Sequence, residues 1–312
     1  MEKININSSD IPIFPSTSRV GAVMLTWNQK EMTLSGLESL SKLKDPKPVV
    51  LLVDNGSRDG TVEAVREKFP GVQILALPEN IGFCAANNRG AEFLLKNSEI
   101  QYLLFLNNDI EIEPETVSLL EKFMDSHPSA AICGPLIYYY NPKDIIWAAG
   151  GRIFTDLMWF PPHLKGKKNP GLIKPRQVDY IHGCSIMVKR SAIEQYGLFD
   201  ERLFIYHDEV DLCLRLKKAG YEVWLVPKSV LYHKVSLAVG QHSPMMIYYT
   251  ARNKILFWNK HGKIKDLPKF FVFHLVKLIK IFAKVKNFWA YPSLFKALID
   301  AVIMNYGKGH LE

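Results

Sequence analysis

Short apolar runs alternate with helical segments between residues 20 and 136, and this alternation constrains the fold more than any other feature. The runs are almost continuously apolar, which is typical of strands that are buried on both faces. Strands that alternate with helices of about 10–15 residues predict a mainly parallel sheet with helices on both faces, an α/β fold. The predicted strands are 20–26, 49–53, 72–77, 102–106 and 130–136, and the predicted helices are 30–43, 60–69, 85–96 and 114–127.

The regular pattern stops in the segment 138–176, which is rich in aromatic residues, glycine and proline. This composition predicts a long loop or a small antiparallel insert. Order returns after it, with the predicted elements at 178–188, 190–196, 208–219 and 222–226. We expect three parts in the chain: a polar lead-in at 1–18, one main domain at 19–262 and a helical tail at 263–312.

The basic charge of the chain belongs to its tail. The whole sequence has 39 basic and 31 acidic residues, a net charge of +8. Residues 263–312 hold nine lysines and three acids, which is +6, so the first 262 residues carry only +2. A nearly neutral main domain lacks the basic footprint of a nucleic-acid-binding protein, and we expect no nucleic-acid partner.

The tail has the pattern of a basic amphipathic helix. His274, Lys277, Lys280, Lys284 and Asn287 recur at steps of three and four, and large apolar residues fill much of the remaining surface. Such a helix is typical of a membrane interface. The alternative is a helix that packs on the domain and exposes its lysines to water. No stretch of 18 uncharged apolar residues occurs, so a membrane-spanning helix is not expected.

The four cysteines are far apart and each lies in an apolar run, at positions 84, 133, 184 and 213. Isolated cysteines of this kind indicate buried, reduced thiols rather than a zinc site or a disulfide framework. The N-terminus lacks the basic and apolar regions of a signal peptide. With the amphipathic tail, these features predict a cytoplasmic protein that is peripheral on the cytoplasmic face of the membrane.

Polar segments follow the predicted strands at four places, at residues 26–28, 54–61, 80–88 and 107–109. Each segment alone is compatible with an ordinary turn, since Asp, Asn, Gly and Ser favour turns. In open α/β sheets, however, ligands bind at the carboxyl ends of the strands. Four polar segments at this edge predict a ligand site there.

The same segments carry a family resemblance. Residues 53–61, 80–90, 106–109 and 204–215 resemble, in order, the conserved blocks of family 2 inverting glycosyltransferases. The Tyr-Tyr and Arg-Asn pairs within 248–253 resemble a late motif of the rhamnosyltransferase-like branch. The match extends over about residues 19–260, and an ordered set of motifs over such a span is far more specific than a single short pattern.

The resemblance implies a GT-A fold and a nucleotide-sugar donor, UDP- or dTDP-linked. Asp54 would accept the imino N–H of uracil or thymine, and Thr26 and Asn28 would line the same pocket. Asp109 and His233 would hold a divalent cation, Mg²⁺ or Mn²⁺, against the donor diphosphate. The full predicted donor-binding set is Thr26, Asn28, Asp54, Asn55, Ser57, Asn80, Asn87, Asn107, Asn108 and Arg252.

Two positions depart from the family pattern. The metal motif begins with Asn107 where the family often has Asp, so Asp109 would carry most of the affinity for the cation. The catalytic acidic pair is Asp208-Glu209 where the family usually has Glu-Asp. Glu209 occupies the position of the base that removes the proton of the acceptor hydroxyl, and Asp208 is the alternative. Asp211 and Arg215 are four residues apart on a helix, which predicts an ion pair.

The predicted function is the transfer of one sugar, with a rhamnose-type donor plausible, from a UDP- or dTDP-sugar to a carbohydrate acceptor. The basic tail favours a lipid-linked glycan in cell-surface polysaccharide assembly as the acceptor. One alternative is a non-catalytic membrane-associated partner that keeps the fold, which the neutral Asn107 favours. Others are a sugar nucleotidyltransferase and a processive synthase, but the chain lacks the Gly-rich loop of the former and the Gln-X-X-Arg-Trp motif of the latter.

Overall fold

The computed structural model describes residues 18–234, 243–284 and 290–309, with side chains described throughout except at 277–284 and 290–291. The strands are β1 Val20–Thr26, β2 Val49–Asp54, β3 Gln73–Ala76, β4 Tyr102–Asn107, β5 Ile110–Ile112, β6 Ala130–Tyr139, β7 Ile146–Ala148, β8 Arg176–Gln177, β9 Ser185–Lys189 and β10 Glu222–His233. The helices are α1 Lys30–Ser41, α2 Thr61–Lys68, α3 Phe83–Leu94, α4 Thr116–Ser126, α5 Arg190–Tyr196, α6 Asp208–Lys218, α7 Pro244–His261, α8 Leu267–Lys284 and α9 Ala290–Val302.

The ten strands form one sheet in the order β3-β2-β1-β4-β9-β6-β10-β5, with β7 beside β6 and β8 beside β10. The neighbours β3, β2, β1 and β4 are parallel, and so are β6 and β10. Because β9 is antiparallel to both β4 and β6, all six of these strands run the same way. The prediction of a mainly parallel sheet is confirmed, and the carboxyl ends of the six strands meet at one edge.

Both faces of the sheet are covered by buried side chains, as the continuous apolar runs predicted. In β1, Ala22 and Met24 belong to the core on one face and Val23 belongs to the core on the other. In β4, Leu104 and Phe105 divide between the two faces in the same way. A strand buried on both faces cannot shift its register without exposing apolar side chains, so the strand ends are fixed in place.

The last long strand differs from its prediction. The apolar run at 222–226 was predicted as a short strand, whereas β10 continues to His233. Pro227 and Lys228 break the apolar pattern, and the pairing with β6 shifts register between Val226 and Val230. Proline has no N–H for the ladder, so a bulge at this point lets the strand continue. The continuation matters because it brings His233 to the carboxyl edge.

The C-terminal helices include one that docks on the main domain. Helix α9 packs along α7, where the hydroxyl of Tyr248 donates to the carboxylate of Asp300. In α8, His274 lies beside the backbone carbonyl of Leu157, its Nε2 atom 2.9 Å from that oxygen, so it faces the domain. Of the predicted polar stripe, Asn287 and the side chains of Lys277, Lys280 and Lys284 lie outside the described part. None of the helices within the described ranges is both long and apolar enough to cross a membrane.

Candidate active site

The turns after β1 and β2 are tied together by their own backbone and side chains. The N–H of Asn28 donates to Oγ of Ser57 at 2.8 Å, and the Oδ1 atom of Asn28 accepts the N–H of Arg58 at 2.8 Å. Gly56, which precedes Ser57 in the turn after β2, has φ +79°, and a Cβ there would come within 2.6 Å of the backbone of Glu79. Only glycine fits this close approach without displacing backbone. The two turns therefore form one rigid corner at the sheet edge.

Asp54 ends β2 with one carboxylate oxygen used and one free. Its Oδ2 atom accepts the N–H of Ser57 at 3.0 Å, and the Oδ1 atom is buried with no hydrogen-bond partner within the chain. A buried polar atom without a partner costs free energy unless a ligand completes it. The arrangement fits an acceptor for a ligand N–H, which is the role that the resemblance implies for Asp54.

Thr26 and Asn108 stabilise the turn after β1 through buried hydrogen bonds. The hydroxyls of Thr26 and Thr33 are 2.6 Å apart, and the Asn108 amide donates to them at 3.2 and 3.1 Å respectively. All three side chains are buried. Thr26 and Asn108 also border a cavity, but the Thr26 hydroxyl and the Asn108 amide nitrogen are engaged in these hydrogen bonds, so they hold the shape of the site.

The turn after β3 is joined to the same corner by amide side chains. The Asn55 amide donates to Oδ1 of Asn80 at 3.0 Å, and the Oδ1 atom of Asn55 accepts the N–H of Ile81 at 3.0 Å. Gly82, with φ +93°, has no room for a Cβ because the ring of Phe204 would lie 2.4 Å away. This contact packs the segment before α3 against the loop before α6.

Asp109 and His233 lie side by side where β5 pairs with the end of β10. The Nε2 atom of His233 is 3.2 Å from Oδ1 of Asp109, and both side chains are buried. A carboxylate oxygen and an imidazole nitrogen at this separation fit a divalent cation such as Mn²⁺. No three such side chains come together in residues 18–234, 243–284 and 290–309. A cation here would therefore complete its coordination with oxygens from a ligand and from water.

Trp147 separates two histidines at this point. Its ring meets His182 edge-on at 4.0 Å and His233 at 4.4 Å between ring centres. Burial, with the charges of His233 and Lys165 adding to it, lowers the pKa of His182 to about 3, so this imidazole is neutral at physiological pH. Its Nδ1 atom is buried without a partner in the chain, and Trp147 connects the 182–184 segment to His233.

Asp208 and Glu209 are the first two residues of α6 and lie next to Gly183. Asp208 is buried and its Oδ2 atom has no hydrogen-bond partner in the chain. The side chain of Glu209 packs on Gly183: a Cβ atom added to this glycine would lie 3.7 Å from the Glu209 carboxyl carbon. Burial raises the pKa of both carboxyls, with a further increase for Asp208 from the charge of Asp211 and for Glu209 from that of Asp208. A carboxyl whose pKa is raised toward neutrality is suited to accept and release protons.

Asp211, one turn further along α6, has a structural role. The Nε atom of Arg215 donates to its Oδ2 atom at 2.8 Å, which confirms the predicted ion pair. Its Oδ1 atom also lies 2.6 Å from Nζ of Lys260 and 2.8 Å from Nε2 of His261. Hydrogen bonds and charge from these partners hold the pKa of Asp211 below its usual range in spite of its burial. This carboxylate joins α6 to α7.

Two adjoining cavities open at the carboxyl edge. The smaller, of about 160 Å³, is bordered by the turns after β1, β2, β3 and β4, including Asn55, Asn80 and Asn107, and reaches Asp109. The larger, of about 610 Å³, is bordered by Asn28 and residues from the C-terminal part of the chain. Trp27, Asn80, Phe204 and Met245 line both. Together they form one groove, with Asp109 bordering its smaller part and Asn28 and Arg58 of the 28–58 corner bordering its larger part.

Of the ten predicted donor residues, four do not border either cavity: Asp54, Ser57, Asn87 and Arg252. Asn87 is 1% exposed inside α3, and its amide donates to the carbonyl of Phe83 at 3.0 Å. Arg252 is 0% exposed, and its guanidinium donates to backbone carbonyls including that of Gly307, at 2.7 Å. Both side chains are buried, but Oδ1 of Asn87 has no hydrogen-bond partner in the chain, and donor binding by Asn87 and Arg252 stays a prediction.

Other groove residues were not predicted from the sequence. Trp27 stands in the turn after β1 and is 36% exposed, which is unusual for an indole. Tyr249 and Lys308 reach the larger cavity from α7 and from the end of the chain. The position of Trp27 after a buried strand could have identified it. Nothing in the sequence pattern points to Lys308, because its place depends on how α9 docks.

A mainly parallel sheet whose carboxyl edge carries such a groove, an Asp–His pair and two buried carboxyls defines a glycosyltransferase of the GT-A fold. The chain belongs to glycosyl transferase family 2, whose family model matches residues 22–197. The predictions of family, of fold and of a glycosyltransferase enzyme are thereby confirmed. Membership in this family excludes the nucleotidyltransferase interpretation.

Two proteins with similar sequences are rhamnosyltransferases. The chain is 31% identical over 219 residues to N-acetylglucosaminyl-diphospho-decaprenol L-rhamnosyltransferase of Mycobacterium tuberculosis, covering 64% of this chain and 70% of that one. It is 26% identical over 288 residues to dTDP-rhamnosyl transferase RfbF of Shigella flexneri, covering 86% and 90%. Glycosyltransferases with rhamnosyl donors are thus among its relatives.

Solved structures share the fold. GalNAc-T7 with UDP, GalNAc and Mn²⁺ superposes with a TM-score of 0.60 at 18% identity, over 80% of this chain and 53% of that one. This chain therefore spans about half the length of GalNAc-T7. The mannosyltransferase PcManGT of Pyrobaculum calidifontis, with GDP-Man and Mn²⁺, gives 0.55 at 19% identity, over 94% and 76%. Both neighbours bind Mn²⁺.

Proposed function

We propose that this glycosyltransferase transfers a single L-rhamnose-type sugar from a dTDP-linked donor to a lipid-diphosphate-linked sugar, with inversion at the anomeric carbon. The observation that carries the proposal is the groove that runs from the 28–58 corner to the Asp109–His233 pair. Its polar residues fit a nucleoside at the 28–58 corner and a diphosphate at Asp109. The named relatives support the choice of sugar and of acceptor class.

In this proposal the nucleotide base lies against Asp54. The partnerless Oδ1 atom accepts the imino N–H of thymine or uracil, and the Asn28–Ser57 corner fixes the ribose side of the pocket. Asn55 and Asn80 are bonded to each other, and we propose that they shape the floor under the sugar diphosphate. Asn107 borders the smaller cavity beside Asp109 and offers an uncharged oxygen there.

Asp109 and His233 would hold Mg²⁺ or Mn²⁺ against the diphosphate. The cation supplies charge stabilisation to the leaving nucleoside diphosphate without a proton. Glu209 is the proposed base, since its side chain lies against Gly183 and burial raises its pKa. It removes the proton of the acceptor hydroxyl as that oxygen attacks the anomeric carbon and the bond to the diphosphate breaks. Asp208 is the alternative base.

The test is transfer from dTDP-L-rhamnose to N-acetylglucosaminyl-diphospho-decaprenol in the presence of Mn²⁺, followed by mass spectrometry. We expect the acceptor to gain one deoxyhexose, and UDP-glucose and GDP-mannose to give little or no product. The matched control is Glu209→Gln, which should bind dTDP but not transfer. Preference for GDP-mannose would contradict the donor assignment. Calorimetric binding of none of the nucleotides would support the non-catalytic alternative.

We further propose that the C-terminal helices bring the enzyme to a membrane surface on its cytoplasmic face. The outer side of α8 exposes Phe271, Val272, Leu275 and Val276, and α9 exposes Phe295, Leu298, Ile299 and Val302. Large apolar patches on a surface indicate an interaction site. The excess of six positive charges in residues 263–312 adds attraction to anionic lipids.

Point substitutions test this proposal better than deletion, because α9 is packed on α7. We expect Phe295→Asp and Val302→Asp to reduce binding to vesicles of anionic phospholipid while leaving dTDP binding unchanged. Ile173→Asp is the matched control, since Ile173 is 62% exposed but belongs to neither helix. Unchanged vesicle binding in both α9 variants would contradict a membrane role for this helix.

A further inference from the structure

Arg252 is a buried cation held by uncharged partners. Its Nη1 atom donates to the carbonyl of Gly307 at 2.7 Å, and its Nη2 atom donates to the carbonyls of Arg202 and Leu203, each at 3.0 Å. The rings of Tyr248 and Tyr249 lie 5.4 and 4.8 Å from the guanidinium carbon. Burying a charge is expensive, so such an arrangement is stable only where the hydrogen-bond geometry is nearly complete.

Asn253, the next residue of α7, binds the same segment from the other side. Its amide donates to the carbonyls of Leu203, Ile205 and Tyr206 at 2.9, 2.7 and 3.0 Å. Its Oδ1 atom accepts from the guanidinium of Arg252 at 3.1 Å. The two side chains thus donate to four backbone carbonyls of one short loop, those of residues 202, 203, 205 and 206.

That loop has a strained backbone. Phe204, Tyr206 and His207 all have positive φ, at +62°, +70° and +66°. The left-handed region costs free energy for residues with a Cβ, and several such residues persist only where their surroundings hold them. The loop ends at Asp208, so its conformation decides where α6 begins and where the carboxyls of Asp208 and Glu209 point.

We propose that Arg252 and Asn253 are positioning residues for the acidic pair. By donating to the carbonyls of residues 202, 203, 205 and 206, they fix the strained loop. The fixed loop in turn sets the first turn of α6 against Gly183. This inference rests on the proposed function, in which Asp208 or Glu209 is the base. In this inference Arg252 does not contact the donor phosphate. It acts on the base indirectly, by fixing the backbone of the loop that precedes Asp208.

The experiment compares Arg252→Lys and Asn253→Ala, two variants that remove different donors to the same loop. We expect kcat for transfer from dTDP-L-rhamnose to N-acetylglucosaminyl-diphospho-decaprenol to fall by about tenfold or more. The Kd for dTDP with Mn²⁺, measured by calorimetry, should change by less than about threefold, because a residue that acts only through the base leaves binding intact. If Arg252→Lys does not fold, Asn253→Ala decides.

Arg190→Lys is the matched control. The Arg190 guanidinium also donates to three backbone carbonyls, those of Leu95, Asn97 and Ile100, but at the opposite edge of the sheet. This variant should lose a comparable amount of thermal stability and keep its kcat. Variants at 252 and 253 that match wild-type kcat, or that fall no further than Arg190→Lys, would overturn the inference while leaving the proposed function intact.

Amide hydrogen exchange supplies a readout that does not depend on activity. Residues 204–209 should exchange faster in Arg252→Lys and Asn253→Ala than in the wild-type protein, and not in Arg190→Lys. Unchanged exchange in this loop would overturn the inference even if the wild-type protein transferred no sugar. Absence of transfer by the wild-type protein would count against the proposed function alone.

Discussion

At the scale of single residues, Asp54 is the side chain whose environment is most specific. One of its oxygens is satisfied by the backbone and the other is buried without a partner. A base with an imino N–H, such as thymine or uracil, completes it, whereas cytosine presents an acceptor at that position. In the proposed function, the carboxylate would therefore discriminate between pyrimidines as well as bind them.

We predict that Asp54→Asn weakens dTDP binding by about tenfold or more, because it removes a hydrogen bond to a charged acceptor. The new amide can donate to cytosine, so binding of dCDP should improve in the same variant. Calorimetry with both nucleotides and Mn²⁺ measures the change. Asp59→Asn is the control, since the Asp59 carboxylate bonds to the backbone of Lys30 and Thr61 in the same turn. Equal dTDP affinity in wild type and Asp54→Asn would contradict the assignment.

The acidic pair makes a prediction about pH. A base works in its deprotonated form, so the raised pKa of Glu209 should place the acid side of the rate profile above the range of an ordinary carboxyl, with transfer increasing as pH rises through it. Asp208→Asn removes one charge that raises this pKa and should move the profile to lower pH, while burial keeps it above the usual value. The measurement is kcat/KM from pH 5 to 9. Complete inactivity of Asp208→Asn, with dTDP binding retained, would make Asp208 the base.

The sequence predicted most of these side chains because turn residues at strand ends are visible in one dimension. It did not reveal that Asn87 and Arg252 are buried, because a matching motif carries no information on packing. Whether a side chain faces a groove or a helix interface depends on packing between segments far apart in the chain. The partners of Arg252 at residues 202, 203 and 307 are separated from it by about 50 positions on either side.

At the scale of elements, the junction of α7 and α9 is built around Tyr248 and Asp300. Both are buried, and the Tyr248 hydroxyl donates to the Asp300 carboxylate, which Lys296 also approaches at 3.1 Å. Burial and this hydrogen bond raise the pKa of Tyr248 to about 12. The hydrogen bonds from Tyr248 and Lys296 lower the pKa of Asp300 in spite of its burial.

We predict that Tyr248→Phe lowers the free energy of unfolding by about 1.5–3 kcal/mol at neutral pH, since it removes a hydrogen bond to a charged group. Because the pKa of Asp300 is lowered in the folded state, the contribution exists above its unfolded pKa and disappears as pH falls through the folded value. The difference between wild type and variant in urea unfolding should therefore shrink in acid. Tyr249→Phe, which loses a bond to the neutral carbonyl of Lys308, should show a smaller and pH-independent loss. Equal losses at all pH values would exclude this role for Asp300.

The elements themselves were predicted well where hydrophobic periodicity was strong. The predicted helix at 190–196 is confirmed with the same bounds. The short strands β5, β7 and β8 were not predicted, because two or three residues carry no period. The docking of α9 was not predicted either. It depends on small and acidic residues, Ala297, Ala301 and Asp300, at positions where an apolar stripe would ordinarily be the signal.

At the scale of the whole molecule, the groove joins the two ends of the described chain. Trp27 borders it after the first strand, and Lys308 borders it after the last helix. Lys308 also lies 2.8 Å from the carboxylate of Glu79, and both of these side chains are exposed. Through Lys308, the segment 290–309 is therefore part of the wall of the larger cavity as well as part of the tail.

We predict that removal of residues 290–312 lowers the midpoint of thermal unfolding by more than about 5 °C, because it uncovers Tyr248 and leaves Arg252 without Gly307. It should also weaken dTDP binding, because it removes Lys308 from the wall of the larger cavity. Lys308→Ala is the control: it removes one exposed ion pair, worth little, and should keep the unfolding midpoint of the wild-type protein. Scanning calorimetry and dTDP titration measure both. A truncated protein with wild-type stability and affinity would show that the docked helix contributes nothing to the site.

The position of Lys308 has a practical consequence for handling the protein. A purification tag or fluorescent protein fused after Glu312 would follow Lys308, which borders the larger cavity, after four residues of sequence. Such a fusion would compete with the nucleotide for space or pull on the carbonyl that Arg252 binds. Assays of donor affinity should use an N-terminal tag, and immobilisation for surface plasmon resonance should avoid the C-terminus.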